Sequence, residues 1–234
     1  MLPLLTNTYF SVADTELGLL PPTAIDAVIS ANLQRSGLFA PMKVSDMIAQ
    51  PHEQSQVFYN DWRLLGTDYL VIGRMSRDAA GLYRVQFDLI DVLRQSLLLQ
   101  ETVNGTENQL RDIAHYISDK VYEKLTGVRG AFSTKVAYVS VAQTGNRQNF
   151  RLIKADADGE REKLTSFPGL NGAPSWSPDG RRLAMVLSKD DNPEIYMMDL
   201  ATRQLTRLTN HFAIDTEPSW MPDGRSIVFT SDRG

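Results

Sequence analysis

The stretch "PSWSPDGRRLAM" (Pro174–Met185) returns as "PSWMPDGRSIVF" (Pro218–Phe229), 44 residues further along the chain. Seven of the first ten positions are identical, a tryptophan, a Pro-Asp-Gly run and an arginine among them. Leu164-Thr165 and Leu208-Thr209 keep the same spacing, so the period extends beyond the motif. A fixed period of this size means a repeated supersecondary unit, and such a unit buries its faces only against a neighbouring copy.

One period can be read strand by strand. "PSW" is a short strand with Trp176 facing a core, and Ser177-Pro178-Asp179-Gly180 is a turn. In that turn proline presets the second position, aspartate suits the third, and glycine accepts the positive φ that follows. "RRLAMVLS", "EIYMMDL" and "LTRLT" supply three further antiparallel strands separated by polar turns. Four strands per period of about 40–45 residues make one blade of a β-propeller. The chain holds a partial blade (135–173), a whole one (174–217) and a second partial one (218–234). Rings of this kind close with about four to eight blades, so the expectation is a fragment of a longer protein.

The first half reads differently. Pro21-Pro22 opens a helix with Ile25, Val28, Ile29 and Leu33 at helical spacing, ended by Gly37, and "LFAPMKV" follows as a strand. Glu53 to Leu65 is read as a second helix, stopped by Gly66. "DYLVIGRMS", "GLYRVQFDLID" and "QSLLLQETVNG" are strand-like, the middle one alternating cleanly. Thr106 and Gln109 have capping-box spacing ahead of a helix striped with Leu110, Ile113, Ala114, Ile117 and Val121. These elements predict helices on one face of a small, largely antiparallel sheet. "TGVRGAFST" (Thr126–Thr134) marks the change of pattern. The fold class is therefore an α+β N-terminal domain (1–127), a linker (128–134) and an incomplete all-β propeller of four-stranded blades (135–234).

Bulk properties exclude several functions. A net charge of −4 argues against nucleic acid as the main partner, because phosphate binding needs a basic face. No apolar run reaches the length of about 18 residues needed to span a membrane. "MLPLLTNTYF" lacks the charged start and apolar stretch of a signal peptide. With no cysteine there is no disulfide, thiolate nucleophile or thiolate metal site. His52, His115 and His211 have no acidic or histidine neighbour at metal-ligand spacing, "KDD" and "DAD" lack the spacing of a calcium loop, and no G-x-S-x-G elbow occurs. These residues predict no catalytic group, no metal site, no cofactor and no enzyme. Trp176 and Trp220 are read as blade core, Asp179 and Asp223 as turn formers.

The repeated P-x-W-x-P-D-G-R resembles the propeller repeats of the TolB family, periplasmic propeller proteins of the Tol-Pal envelope system. "RDIAHYISDKVYEKLTGVRGAFSTKVAYV" (Arg111–Val139) resembles the helix and linker that join that family's two domains, and "NGAPSWSPDG", "LSKDDNPEIYMMDLATRQ" and "TEPSW" resemble its successive blade segments. Two departures stand out. The family pattern leads us to expect one more blade where "KADADGE" and "EKLTSF" almost abut here. It also leads us to expect that the extreme N-terminal segment, which engages the inner-membrane partner TolA, is missing.

The resemblance implies a periplasmic, non-catalytic scaffold. Its partners would be the peptidoglycan-associated lipoprotein Pal, TolA or other inner-membrane Tol proteins, and bacteriocin translocation segments. Its role would be outer-membrane integrity and constriction at cell division. Pal would dock at the propeller mouth, on the loops just before each P-x-W: Leu170, Asn171, Gly172 and Ala173, then Asp215, Thr216 and Glu217. A rival reading is the gating propeller of a prolyl-oligopeptidase-like or tricorn-like serine peptidase, which requires an α/β-hydrolase domain elsewhere in the gene. A cytosolic interaction propeller is a third.

Overall fold

The computed structural model describes residues 4–12, 24–145, 147–165, 169–189 and 192–233. Pro21-Pro22, the expected helix opening, and Asp190-Asp191 of the expected turn lie outside them. Two compact units divide at Ser133/Thr134.

The first unit contains β1 (Leu4–Val12), α1 (Ile25–Arg35), β2 (Phe39–Pro41), α2 (Tyr59–Leu64), β3 (Tyr69–Arg77), β4 (Tyr83–Asp91), β5 (Ser96–Gly105) and α3 (Leu110–Thr126). The sheet order is β2-β1-β3-β4-β5. β1 runs parallel to both of its neighbours, so the sheet is mixed rather than largely antiparallel. The reason lies in connectivity: α1 carries the chain from β1 to β2, and such a crossover returns the strand in the same direction.

Period-two alternation sends the two faces of β3 and β4 into separate cores. Val71, Met75, Val85, Phe87 and Leu89 pack with Ile29 and Leu33 of α1 and with Ile113, Ile117 and Val121 of α3. Leu70, Ile72 and Ile90 face the other way and are covered by Val57 and Trp62. Helices therefore lie on both faces, where the sequence predicts them on one. The expected helix over Glu53–Leu65 is also divided. Gln56 turns back so that its Oε1 accepts the His52 and Glu53 N–H groups, closing a 3₁₀ turn at Gln54–Gln56. Val57 is then extended and α2 starts only at Tyr59. The Glu53–Gln56 pair is a capping box, which suits a helix start, so the break lies at Val57 and Phe58, whose ψ of 107° and 87° are not helical. The Thr106–Gln109 capping box forms, and Gly127 ends α3 in the left-handed conformation, with φ 74°.

Among the described residues the second unit holds three sheets. The first is β6 (Lys135–Thr144), β7 (Arg147–Asp156) and β8 (Arg161–Lys163). The second is β9 (Asn171–Trp176), β10 (Arg182–Leu187), β11 (Glu194–Asp199) and β12 (Leu205–Arg207). The third is the hairpin β13 (Asp215–Trp220) and β14 (Ile227–Ser231). These are propeller-type sheets, and the described strands do not close a ring. Both Pro-Asp-Gly turns form as read: Gly180 (φ 68°) donates to the Ser177 carbonyl at 2.9 Å, and Gly224 (φ 64°) to the Met221 carbonyl at 3.0 Å.

The Leu-Thr pairs explain why the period reaches past the motif. Leu152 N–H donates to Thr165 Oγ1 at 3.0 Å and Leu164 N–H to the Leu152 carbonyl at 2.8 Å. In the next sheet Ile195 N–H donates to Thr209 Oγ1 at 2.9 Å and Leu208 N–H to the Ile195 carbonyl at 2.8 Å. Each threonine hydroxyl satisfies a buried strand donor at the point where the short outer strand has ended. Leu152 and Leu164 of the first sheet share one core with Leu183, Met185, Leu187, Tyr196 and Met198 of the second, and Trp176 packs against it.

Candidate partner-binding site

The seven residues singled out before the P-x-W motifs are not all in loops. β9 begins at Asn171 and β13 at Asp215, each ahead of its proline, so Asn171–Ala173 and Asp215–Glu217 are strand. Each strand carries a bulge against its hairpin partner, β9 with β10 and β13 with β14. The residue that makes it possible is in the left-handed region: Ala173 at φ 46° and Glu217 at φ 52°. Small and polar residues here predict a connection, whereas they encode a kinked strand start.

The bulge sorts the seven by exposure. Asn171, Gly172 and Asp215 are buried, while Leu170, Ala173 and Glu217 are exposed and Thr216 is half-buried. Asn171 Nδ2 donates to the Gly169 carbonyl at 3.0 Å. Asp215 is ion-paired to Arg233, and its backbone N–H donates to the Pro193 carbonyl at 3.1 Å. These two are anchors under the surface. Equivalent bonds hold the strand entries, from Ser188 N–H to the Leu170 carbonyl and from Asp232 N–H to the Ile214 carbonyl. Of the seven, only Leu170, Ala173, Thr216 and Glu217 present side chains that a partner can reach.

The connection from β12 to β13 adds a feature that the sequence reading missed. Phe212 is 90% exposed and Ile214 47% exposed, and the His211 and Phe212 rings stack with centroids 4.1 Å apart. This apolar segment is held from beneath by Glu194, itself 1% exposed. Glu194 Oε1 accepts Arg207 Nη2 at 2.9 Å, His211 N–H at 2.9 Å and Asn192 Nδ2 at 3.2 Å. Thr209 donates its hydroxyl to Oε2. Burial pushes the carboxyl pKa up, but the Thr209, His211 and Arg207 donors outweigh it and hold the group below the usual carboxylate value. Asn192 Nδ2 also reaches the His211 carbonyl at 2.7 Å. The only sequence signal for this segment is "HFAI", an apolar run between two polar stretches.

Residues 9–98 match the family model for the TolB amino-terminal domain, and residues 159–234 match that for the TolB beta propeller domain. The crystal structure of TolB from Acinetobacter baumannii aligns over the whole of this chain and 67% of its own, with 32% identity and a TM-score of 0.57. The chain belongs to the TolB family. The Tol-Pal system protein TolB of Alcanivorax borkumensis is 43% identical over 215 residues, covering 71% of this chain and 49% of the relative. That of a Marinomonas strain is 44% identical over 185 residues, covering 77% and 42%. The chain thus spans about half the length of the curated relatives it matches. Among the described residues no helix is long and apolar enough to cross a membrane.

Proposed function

We propose that this chain works as a non-catalytic, protein-binding scaffold of the Tol-Pal system in the periplasm. Its propeller sheets would dock the lipoprotein Pal, and its N-terminal part would connect to an inner-membrane Tol protein such as TolA, in support of outer-membrane integrity and constriction at division. Membership of the TolB family supports the Tol-Pal role. The observation that carries the docking surface is the paired bulge. Ala173 and Glu217 occupy the same position of successive sheets, exposed above the buried anchors Asn171 and Asp215. Two exposed positions set by the same backbone bulge in successive sheets give a partner a repeated foothold held by strand backbone, which lowers the cost of ordering it.

Calorimetric titration of the chain with purified Pal tests this reading. Ala173→Trp and Thr216→Trp are expected to weaken binding at least tenfold with melting temperatures within a few degrees of the parent. Full-strength binding by both folded variants would remove these residues from the interface.

A further inference from the structure

A second site lies in the first unit, on the sheet face away from α1 and α3. Half of that face is the apolar patch Leu70, Ile72, Ile90 and Val92, covered by Val57 and Trp62. The cover stops at the 3₁₀ turn Gln54–Gln56, and the rest of the face is polar. Arg74 is paired across the ladder with Gln86, and Asp88 with Gln100. Between the turn and these strands lies a cavity of about 300 Å³ lined by His52, Glu53, Arg74, Gln86, Asp88 and Gln100.

Asp88 is the residue that packing does not explain. It is only 6% exposed and stands opposite Ile72, in a place where an aliphatic side chain would extend the neighbouring apolar patch. A desolvated carboxylate costs stability unless it is paired and fully bonded. Among the described residues its side-chain hydrogen bond comes from a neutral amide, Gln100 Nε2 to Oδ1 at 2.9 Å. The guanidinium of the cavity wall is already engaged: Arg74 pairs with Glu53 and donates Nη2 to Gln86 Oε1 at 3.1 Å. Of the two carboxylates in the wall, Glu53 is matched by Arg74, and the unmatched one, Asp88, sits at the buried end.

We propose that this cavity binds an organic cation, an alkylammonium or guanidinium group, with Asp88 as its carboxylate partner. Glu53 is taken up by Arg74, so one carboxylate is left among amides beside a guanidinium, a wall that suits a singly charged organic cation better than calcium, which takes six to eight oxygens with several carboxylates among them. An ammonium brings three donors and a guanidinium five, enough to use the second Asp88 oxygen and the remaining amide oxygens together.

The probe is N-acetyl-lysine N-methylamide, titrated into the ¹⁵N-labelled full chain and followed by NMR, with the neutral N-acetyl-norleucine N-methylamide as control. Saturable shifts confined to the cavity wall, on β3 around Arg74, β4, β5 and the 52–56 turn, are expected with the lysine derivative alone. Asp88→Asn, which keeps a bond to Gln100, is expected to weaken binding at least tenfold while leaving the melting temperature equal or higher. Cadaverine distinguishes the sources of the cation: binding as tight as the lysine derivative assigns the site to free diamines, and weaker binding to a partner's side chain. Equal shifts from the norleucine control, no saturation, or unchanged binding by Asp88→Asn would overturn the proposal. So would calcium producing the same shifts. If Asp88→Asn fails to fold, the lysine and norleucine titrations of the parent chain decide alone.

Discussion

Arg182, at the head of β10, clamps the sheet that follows its own. Its guanidinium lies 4.6 Å from the centroid of the Trp220 ring, and Nη2 donates to the Gly224 carbonyl at 2.9 Å. Trp220 and Gly224 are the β13 tryptophan and the turn glycine of the second motif copy, so one side chain reads both halves of the next repeat. Serine, Ser226, stands at the matching position of that copy, which leaves Arg182 without an internal equivalent. Arg182→Ala is expected to cost about 1–2 kcal/mol from the lost cation–π contact and hydrogen bond, measured by urea unfolding. Arg182→Lys should recover less than half, because a point charge cannot stack and donate sideways at once.

Glu194 organises the segment that presents Phe212. Glu194→Gln removes the charge that Arg207, Thr209 and the His211 N–H share, at an expected cost of about 1–3 kcal/mol. Because the folded pKa lies below the unfolded one, the carboxylate stabilises the fold above the unfolded value of about 4.3. That stability is lost as pH falls through the folded pKa. Unfolding free energy measured from neutral pH into this acid window should therefore fall more steeply for the parent than for Glu194→Gln. Parallel curves would mean that the lock carries no net charge-dependent stability.

The blades were legible because their punctuation is chemical. Pro178, Asp179 and Gly180 each have one job in the turn, and the same three types at the second copy leave little freedom. The bulges were not legible. Ala173 and Glu217 adopt positive φ with side chains that carry no preference for it, so the kink is imposed by Asn171 and Asp215 being buried beneath it. The same holds in the first unit. The period of β4 was plain, but the parallel pairing of β1 depends on a crossover that no local pattern records. Val57 and Phe58 interrupt the expected helix although the Glu53–Gln56 capping box ahead of them suits one. At the candidate docking surface the repeat pointed to the two strand starts, but polar residue types alone could not separate buried anchors from exposed positions.

Positive φ at Ala173 and Glu217 makes an unusual pair of substitutions favourable. Ala173→Gly and Glu217→Gly relieve a left-handed conformation that costs a side-chain-bearing residue about 1 kcal/mol or more, against a smaller rise in unfolded-chain entropy. Each is expected to leave stability unchanged or raise it by up to about 1 kcal/mol. Ala184→Gly, on β10 at a position without positive φ, should cost about 1 kcal/mol in the same denaturation series. Destabilisation by all three would mean that the bulges are not strained.

Two glycines near the end of α3 separate conformational from steric demand. Gly127 has φ 74° and open space where a Cβ would project, so Gly127→Ala should cost only the left-handed penalty, about 1 kcal/mol. Gly130 has no such φ, yet a Cβ there would lie 2.6 Å from the Asp119 Cα and 2.5 Å from Asp119 Oδ1. That approach is fixed, because the Asp119 carboxylate accepts the Phe132 N–H at 2.7 Å and the Ser133 N–H at 3.1 Å, tying the segment after the helix back onto it. Backbone cannot give way as a flexible side-chain tip can. Gly130→Ala is therefore expected to cost about 2–3 kcal/mol, more than Gly127→Ala, and to release the Phe132 and Ser133 amides to fast hydrogen exchange. The reverse order of the two costs, with both amides still protected, would show that the segment is not seated on Asp119.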